Sequence, residues 1–69
     1  MIVSRDELRR QTVMTLKEIE AVLTAVRQEA KNQGVDPTIL RDAQGGWVMG
    51  PLLQAKVQCL ATLVALNSK

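Results

Sequence analysis

Residues 51–66 read Pro-Leu-Leu-Gln-Ala-Lys-Val-Gln-Cys-Leu-Ala-Thr-Leu-Val-Ala-Leu, and this stretch decides the fold. Most of these residues favour helix, and proline is well suited to the first helical position. We therefore expect a C-terminal helix that opens at Gly50-Pro51 and ends near Leu66 or Asn67. The only charged residue between Asp42 and Lys69 is Lys56. A helix that is apolar over most of its circumference must be covered on more than one side.

A rotation of about 100° per residue divides this helix into two apolar ridges. Lys56 lies between them, and we expect its ammonium group to reach the surface or to pair with a carboxylate at a dimer seam. A narrow strip of small or polar residues consists of Gln54, Gln58, Ala61, Thr62 and Ala65. The first ridge consists of Leu53, Val57, Leu60 and Val64, and the second ridge of Leu52, Ala55, Cys59, Leu63 and Leu66.

A long helix is predicted for the N-terminal half. Ser4 followed by Glu7 is a capping box, and Gly34 is a suitable left-handed residue to end the helix after Gln33. Apolar or small residues recur every three or four positions along it: Leu8, Thr12, Leu16, Ile19, Leu23, Val26 and Ala30. Thr15 and Glu18 form a second capping box, so the alternative is two helices, over about 4–13 and 16–33. The unbroken stripe favours one helix.

The connection between the two helices begins at Val35. Asp36 is a good N-cap and Pro37 a good first residue, so Thr38 to Ala43 are predicted to form one or two helical turns. Ile39 and Leu40 would then cover one end of the core. Gln44-Gly45-Gly46 ends this short piece.

These elements fit a single all-α domain over residues 1–69, a helical hairpin with a short helical turn in its connection. A domain of 69 residues is marginal alone, and one cysteine without histidine offers neither an intrachain disulfide nor a Cys/His zinc site. Since one ridge of the last helix lacks an intrachain partner, we expect a homodimer that resembles a four-helix bundle. The second ridge, through Leu52, Cys59, Leu63 and Leu66, is the predicted self-association surface.

Catalysis is not expected. The chain lacks histidine and tyrosine, and its carboxylates lie mostly beside arginine or lysine on helix surfaces. Cys59 lies on an apolar ridge and is interpreted as a small buried hydrophobe, not as a reactive thiol. We expect no metal and no cofactor. A phosphate loop is disfavoured because the glycines of residues 45–50 are followed by proline where that motif has lysine.

The only aromatic residue, Trp47, stands between glycines in Gly45-Gly46-Trp47-Val48-Met49-Gly50. One interpretation is that Trp47, Val48 and Met49 plug the end of the bundle. The other is that Trp47 is exposed and anchors a protein partner, because tryptophan is enriched at the energetic centres of interfaces. Trp47, Val48 and Met49 are therefore the candidate partner-binding residues.

The net charge of +2 is too small to indicate nucleic acid by itself. Arg5, Arg9, Arg10 and Lys17 are nevertheless candidate phosphate contacts. Residues 1–33 carry six positive and five negative charges, which is typical of a solvated helix face. Because phosphate contacts weaken steeply with salt, salt dependence would distinguish nucleic-acid binding from an apolar contact.

A membrane span is not expected either, since residues 52–66 fall short of the roughly 20 apolar residues that a span needs. One free cysteine and no apolar leader favour the cytoplasm. The sequence therefore predicts a small, self-associating, cytoplasmic protein-interaction module that acts as an adaptor or regulator. The alternative is a nucleic-acid-associated regulator that uses the basic N-terminal helix face.

Overall fold

The computed structural model describes residues 3–68 and shows an all-α helical hairpin. Helix α1 comprises Arg5–Gln33, a single 3-10 turn comprises Pro37–Ile39, and helix α2 comprises Met49–Asn67. No strand is present in residues 3–68; one isolated antiparallel bridge joins Arg41 and Trp47. The predicted fold class is confirmed, while the dimer stays a prediction.

Both ends of α1 are capped as the sequence predicts. The Ser4 hydroxyl accepts a hydrogen bond from the Glu7 amide at 3.1 Å. Gly34 has a φ of 70°, and its amide donates to carbonyls in the last turn. The second capping box does not start a new helix, because the Thr15 hydroxyl donates to the carbonyl of Gln11 inside a continuous helix. The interpretation as one helix is confirmed.

The connection contains less helix than predicted. Asp36 does act as the N-cap, since its carboxylate accepts from the Thr38 amide at 2.9 Å, but the helical segment ends at Ile39. Leu40 is extended, with ψ at 140°, and residues 41–47 form a tight loop. The prediction of helical turns through Ala43 was wrong, because the loop's own side-chain hydrogen bonds replace the helical ones.

Helix α2 begins earlier than predicted. It starts at Met49, with Val48 as an N-cap that makes no side-chain hydrogen bond, so Pro51 is the third helical residue and not the first. Proline is accommodated there because the first-turn amides have no acceptor within the helix. The predicted C-terminal end at Asn67 is confirmed.

The two helices run antiparallel. The first turns of α1 contact the last turn of α2, where the Arg5 guanidinium donates to the Ser68 carbonyl at 3.1 Å. Near the middle of the hairpin, Lys56 approaches Glu20. The 3-10 turn contacts both helices at the other end. The result is an elongated molecule with a longest dimension of 45 Å.

The core is small. Of residues 3–68, just Leu23, Ala30 and Met49 are buried. The remainder of the predicted α1 stripe is half-buried or, at Leu8, exposed. Ile39 is exposed and only Leu40 is half-buried, so the expectation that both cover the core end was half wrong. A two-helix hairpin has one line of contact, and one line of contact leaves most side chains partly in water.

Candidate interaction surface

The second ridge of α2 faces α1. Its five residues are all half-buried. Cys59 and Ala55 line a cleft between the helices together with Leu8, Thr12 and Ile19 of α1. Small side chains at positions 55 and 59 leave this cleft open between the two helices. The second ridge is therefore the intrachain packing face of α2.

This assignment bears directly on the predicted self-association surface. Leu52, Cys59, Leu63 and Leu66 were chosen as the ridge without an intrachain partner, and the structure gives that ridge a partner in α1. Both ridges are apolar along their whole length, so helical periodicity cannot tell which one faces the hairpin. The expectation that this ridge has no intrachain partner was wrong.

The first ridge is the uncovered face of α2. The exposed fractions of its side chains are 40% for Leu53, 64% for Val57, 43% for Leu60 and 67% for Val64. Single exposed apolar residues are ordinary, but an aligned row of them on one helix is typical of an interaction site. At the start of α2, a groove lined by Trp47, Pro51 and Leu53 adjoins this row. The first ridge is thus the candidate interaction surface.

Lys56 forms an ion pair with Glu20 of α1, with 3.7 Å between the Nζ and Oε1 atoms. Its side chain retains 34% exposure, so the ammonium group reaches solvent while the stem lies over the helix contact, as predicted. The pairing carboxylate belongs to the same chain. Lys56 is the only charged residue among residues 43–68, and this pairing holds it beside α1. The exposed face of α2 is therefore without charge.

The glycine-rich loop is organised by Asp42. Its carboxylate oxygen accepts from the amides of Gln44 and Gly46, at 2.9 and 2.8 Å. The Asp42 amide donates to the Gly46 carbonyl, which closes the loop. Gly45 has a φ of 83°, a conformation that side-chain-bearing residues rarely adopt. These contacts bring Trp47 opposite Arg41, whose guanidinium carbon lies 3.8 Å from the centre of the indole ring.

The structure separates the three candidate partner-binding residues. Trp47 is 52% exposed, which favours the partner anchor over the plug. Val48 is half-buried, and its amide donates to the Leu40 carbonyl at 3.4 Å. Met49 is 5% exposed and belongs to the core, so it is not available to a partner. Arg41 was not predicted here, although a cation close in sequence to a lone tryptophan is a usable signal for such stacking.

The basic residues near the N-terminus mostly make intramolecular contacts. Arg5 donates to the Ser68 carbonyl, and Arg9 to the Leu66 carbonyl at 3.5 Å as well as to Asp6 at 3.1 Å. The last carbonyls of a helix have no hydrogen-bond donor within the helix. A cation near them also interacts favourably with the negative end of the helix dipole. Arg5 and Arg9 therefore cap the C-terminal end of α2, a role that the sequence pattern did not reveal.

The other two candidate phosphate contacts lie on the surface of α1. Arg10 forms an ion pair with Glu7 at 2.6 Å, and Lys17 is exposed. The Arg10 guanidinium and a hydrogen bond from Gln11 lower the pKa of the Glu7 carboxyl, with Gln11 having the larger effect. Of the four candidates, three are thus engaged with carboxylates or backbone carbonyls, which leaves little free positive charge in one place.

Two further features bear on chemistry. In residues 3–68, no group of three or more histidine, cysteine, aspartate or glutamate side chains is placed to hold a metal ion. Cys59 is a half-buried free thiol on the packing face of α2, in accordance with its interpretation as a small hydrophobe.

Helix α2 is longer than the 15-residue run considered from the sequence. Its 19 residues are sufficient in length and composition to cross a membrane. Core helices of soluble proteins that pass the same test are mostly buried, whereas of the residues of α2 only Met49 is buried in the hairpin. In the hairpin, one side of α2 packs against α1, and its single cation is paired with Glu20 near the middle of the helix.

No family model matches the chain, and comparisons with curated proteins and with solved structures also find no match.

Proposed function

We propose that this protein is a non-enzymatic interaction module that self-associates through the first ridge of α2. The observation that carries the proposal is the exposure of all four ridge residues, Leu53, Val57, Leu60 and Val64, on a helix face without charge. Burying a leucine or valine side chain contributes about 1.5–3 kcal/mol. Among residues 3–68 just three are buried, so such a contribution would be a large part of the stability of the hairpin.

The surface area supports a protein as the occupant. The chain exposes 5329 Å², whereas a compact monomer of its mass is expected to expose about 4,300 Å². This excess reflects the elongated shape of the hairpin, and a stable interface would cover roughly 800 Å² of each partner's surface. An elongated hairpin gains compactness when a second hairpin covers its apolar side.

A lipid surface fits this face less well. Helices that lie in a membrane interface combine an apolar face with lysine and arginine at its polar border. On one side the border of the first ridge is formed by Gln54, Gln58, Ala61 and Ala65, and on the other side its single cation, Lys56, is paired with Glu20. Nucleic-acid binding is not proposed, since Arg5, Arg9 and Arg10 are bonded within the chain.

The decisive experiment is the solution mass by light scattering on a size-exclusion column. Wild type is expected at twice the chain mass, and Leu60→Glu at the chain mass, because the carboxylate would be buried in the interface. Met14→Glu is the matched control: Met14 is 56% exposed on α1, away from the first ridge, and its variant should keep the dimer mass.

A second measurement covers the case in which Leu60→Glu does not fold. The thermal midpoint of wild type should rise with protein concentration, as it does when folding and association are coupled. A monomeric wild type with a concentration-independent midpoint would overturn self-association. If that monomer also sediments with vesicles of phosphatidylcholine and phosphatidylserine, the first ridge is a membrane contact.

A further inference from the structure

We infer that the two copies pair their α2 helices in parallel, as a short two-stranded coiled coil around a two-fold axis along the helices. This inference rests on the proposed function and adds the orientation and register of the partner. Its basis is the spacing and the type of residues on the first ridge, which the sequence interpretation treated only as an apolar row.

The four ridge residues are spaced by four, three and four positions, from Leu53 through Val57 and Leu60 to Val64. This is the spacing of the d and a positions of a heptad, with leucine at both d positions and valine at both a positions. β-Branched residues at a combined with leucine at d favour two-stranded parallel coiled coils. All four residues are exposed, so the seam is free to accept a second helix.

The neighbouring positions agree with this register. Next to the seam on one side, at the e positions, stand Gln54 and Ala61, which are exposed and uncharged. On the other side, at the g positions, stand Lys56 and Leu63, which are half-buried toward α1. Lys56 is paired with Glu20, so its charge is partly neutralised before a second copy approaches. Two α1 helices would then flank the α2 pair.

Parallel pairing has a geometric consequence that antiparallel pairing lacks. Equivalent residues face each other along the whole seam, so both Trp47 loops lie at one end of the dimer and both helix C-termini at the other. In an antiparallel pair centred on the ridge, the two copies of Asn67 would be separated by about 25 Å along the axis, at 1.5 Å per residue. A disulfide requires Cα atoms within about 7 Å.

The test is disulfide formation between copies of the full chain, in a Cys59→Ala background under mild oxidation. Asn67→Cys places a thiol at the next d position, where the native residue is exposed and polar, so the fold should be preserved. Leu53→Cys tests the other end of the seam. Lys17→Cys, on the exposed surface of α1, is the control for random collision.

The expected result is that Asn67→Cys and Leu53→Cys each become mainly covalent dimers, while Lys17→Cys does not. Crosslinking of Leu53→Cys with Val64→Cys in a mixture, without crosslinking of Asn67→Cys alone, would mean antiparallel pairing. That outcome would overturn this inference and leave self-association intact. A wild-type chain that is monomeric by light scattering would overturn both.

Discussion

Single residues with unusual conformations hold the connection between the helices in shape. Gly45 is the clearest case, since its left-handed φ of 83° allows the Asp42 carboxylate to reach the amides of residues 44 and 46. Gly46 is constrained in a different way, because a Cβ atom there would lie 2.9 Å from a carboxylate oxygen of Asp42. The position of Trp47 depends on both glycines.

Gly45→Ala should lower the free energy of unfolding by about 1 kcal/mol, because a side chain disfavours the left-handed region. A Cβ atom at this site meets no neighbour within 4 Å, so steric contact adds nothing. Gly45→Asn should cost less, as asparagine tolerates this conformation. Urea unfolding followed by circular dichroism measures both variants. Equal losses would mean that backbone conformation is not the cause.

The stability of the 3-10 turn depends on pH through the Asp36 carboxylate. The Thr38 amide, and to a lesser extent its hydroxyl, donate to the carboxylate and lower the pKa of Asp36. A depressed folded-state pKa means that the stabilisation is present above the unfolded value of about 4 and is lost as the pH falls through the folded value.

We expect the Asp36 carboxyl to titrate below that unfolded value, and Thr38→Ala to move its pKa part of the way back. Carboxyl carbon chemical shifts, recorded by NMR during an acid titration, report both. The carboxyl of Glu7 in α1, whose pKa is lowered by Gln11 and Arg10, provides an internal comparison that Thr38→Ala should leave unchanged. A titration of Asp36 that does not respond to Thr38→Ala would show that the hydroxyl has no effect on it.

At the scale of the elements, two arginine side chains connect the start of α1 to the end of α2. Arg5 and Arg9 in the first turns of α1 reach the carbonyls of Ser68 and Leu66 at the end of α2. These bonds compensate for a C-terminal turn of α2 that has no basic residue among those described.

Arg9→Met should lower the free energy of unfolding by about 0.5 kcal/mol, because the last turn of α2 loses its donor while the aliphatic stem is kept. Arg10→Met is the matched control. Arg10 also pairs with an acidic residue three positions earlier, but its bonds stay within α1. Thermal unfolding at low salt compares the two variants. An Arg10→Met loss as large as that of Arg9→Met would exclude the capping role.

At the scale of the whole molecule, the two ridges of α2 have different tasks. The second ridge packs inside the hairpin, and the first ridge is left for a second copy. Leu60 lies on the first ridge and Leu63 on the second, within one helical turn. Replacing each of them by glutamate should therefore have different consequences.

Leu63→Glu should unfold the hairpin, because it places a charge against α1, with a loss of about 2 kcal/mol or more. Far-ultraviolet circular dichroism over a range of protein concentrations should show low helicity throughout. Leu60→Glu should regain helicity when a stabilising osmolyte is added, to the same extent at every protein concentration, since its α1 contact is intact and it no longer associates. A fully helical, monomeric Leu63→Glu would return the second ridge to the role of self-association surface.

The elements of this protein follow from local sequence signals. Ser4, Gly34 and Asp36 act as caps where the pattern predicts them, since a cap depends on a few neighbouring residues. The start of α2 was misplaced because Val48 forms no side-chain cap and leaves no signal. The loop was predicted to begin at Gln44 but begins at Arg41, because the carboxylate and amide of Asp42 bond to residues 44 and 46 in place of helical bonds.

The side of α2 that packs inside the hairpin was decided only by contacts distant in sequence. Both ridges satisfy the same helical period, so periodicity treats them alike. The second ridge is half-buried against α1, and the ion pair of Lys56 with Glu20 and the bonds of Arg5 and Arg9 form in that same rotation of α2 about its axis. Composition and local pattern were thus sufficient for the helices and for a surplus apolar face, whereas the identity of that face required the packed hairpin.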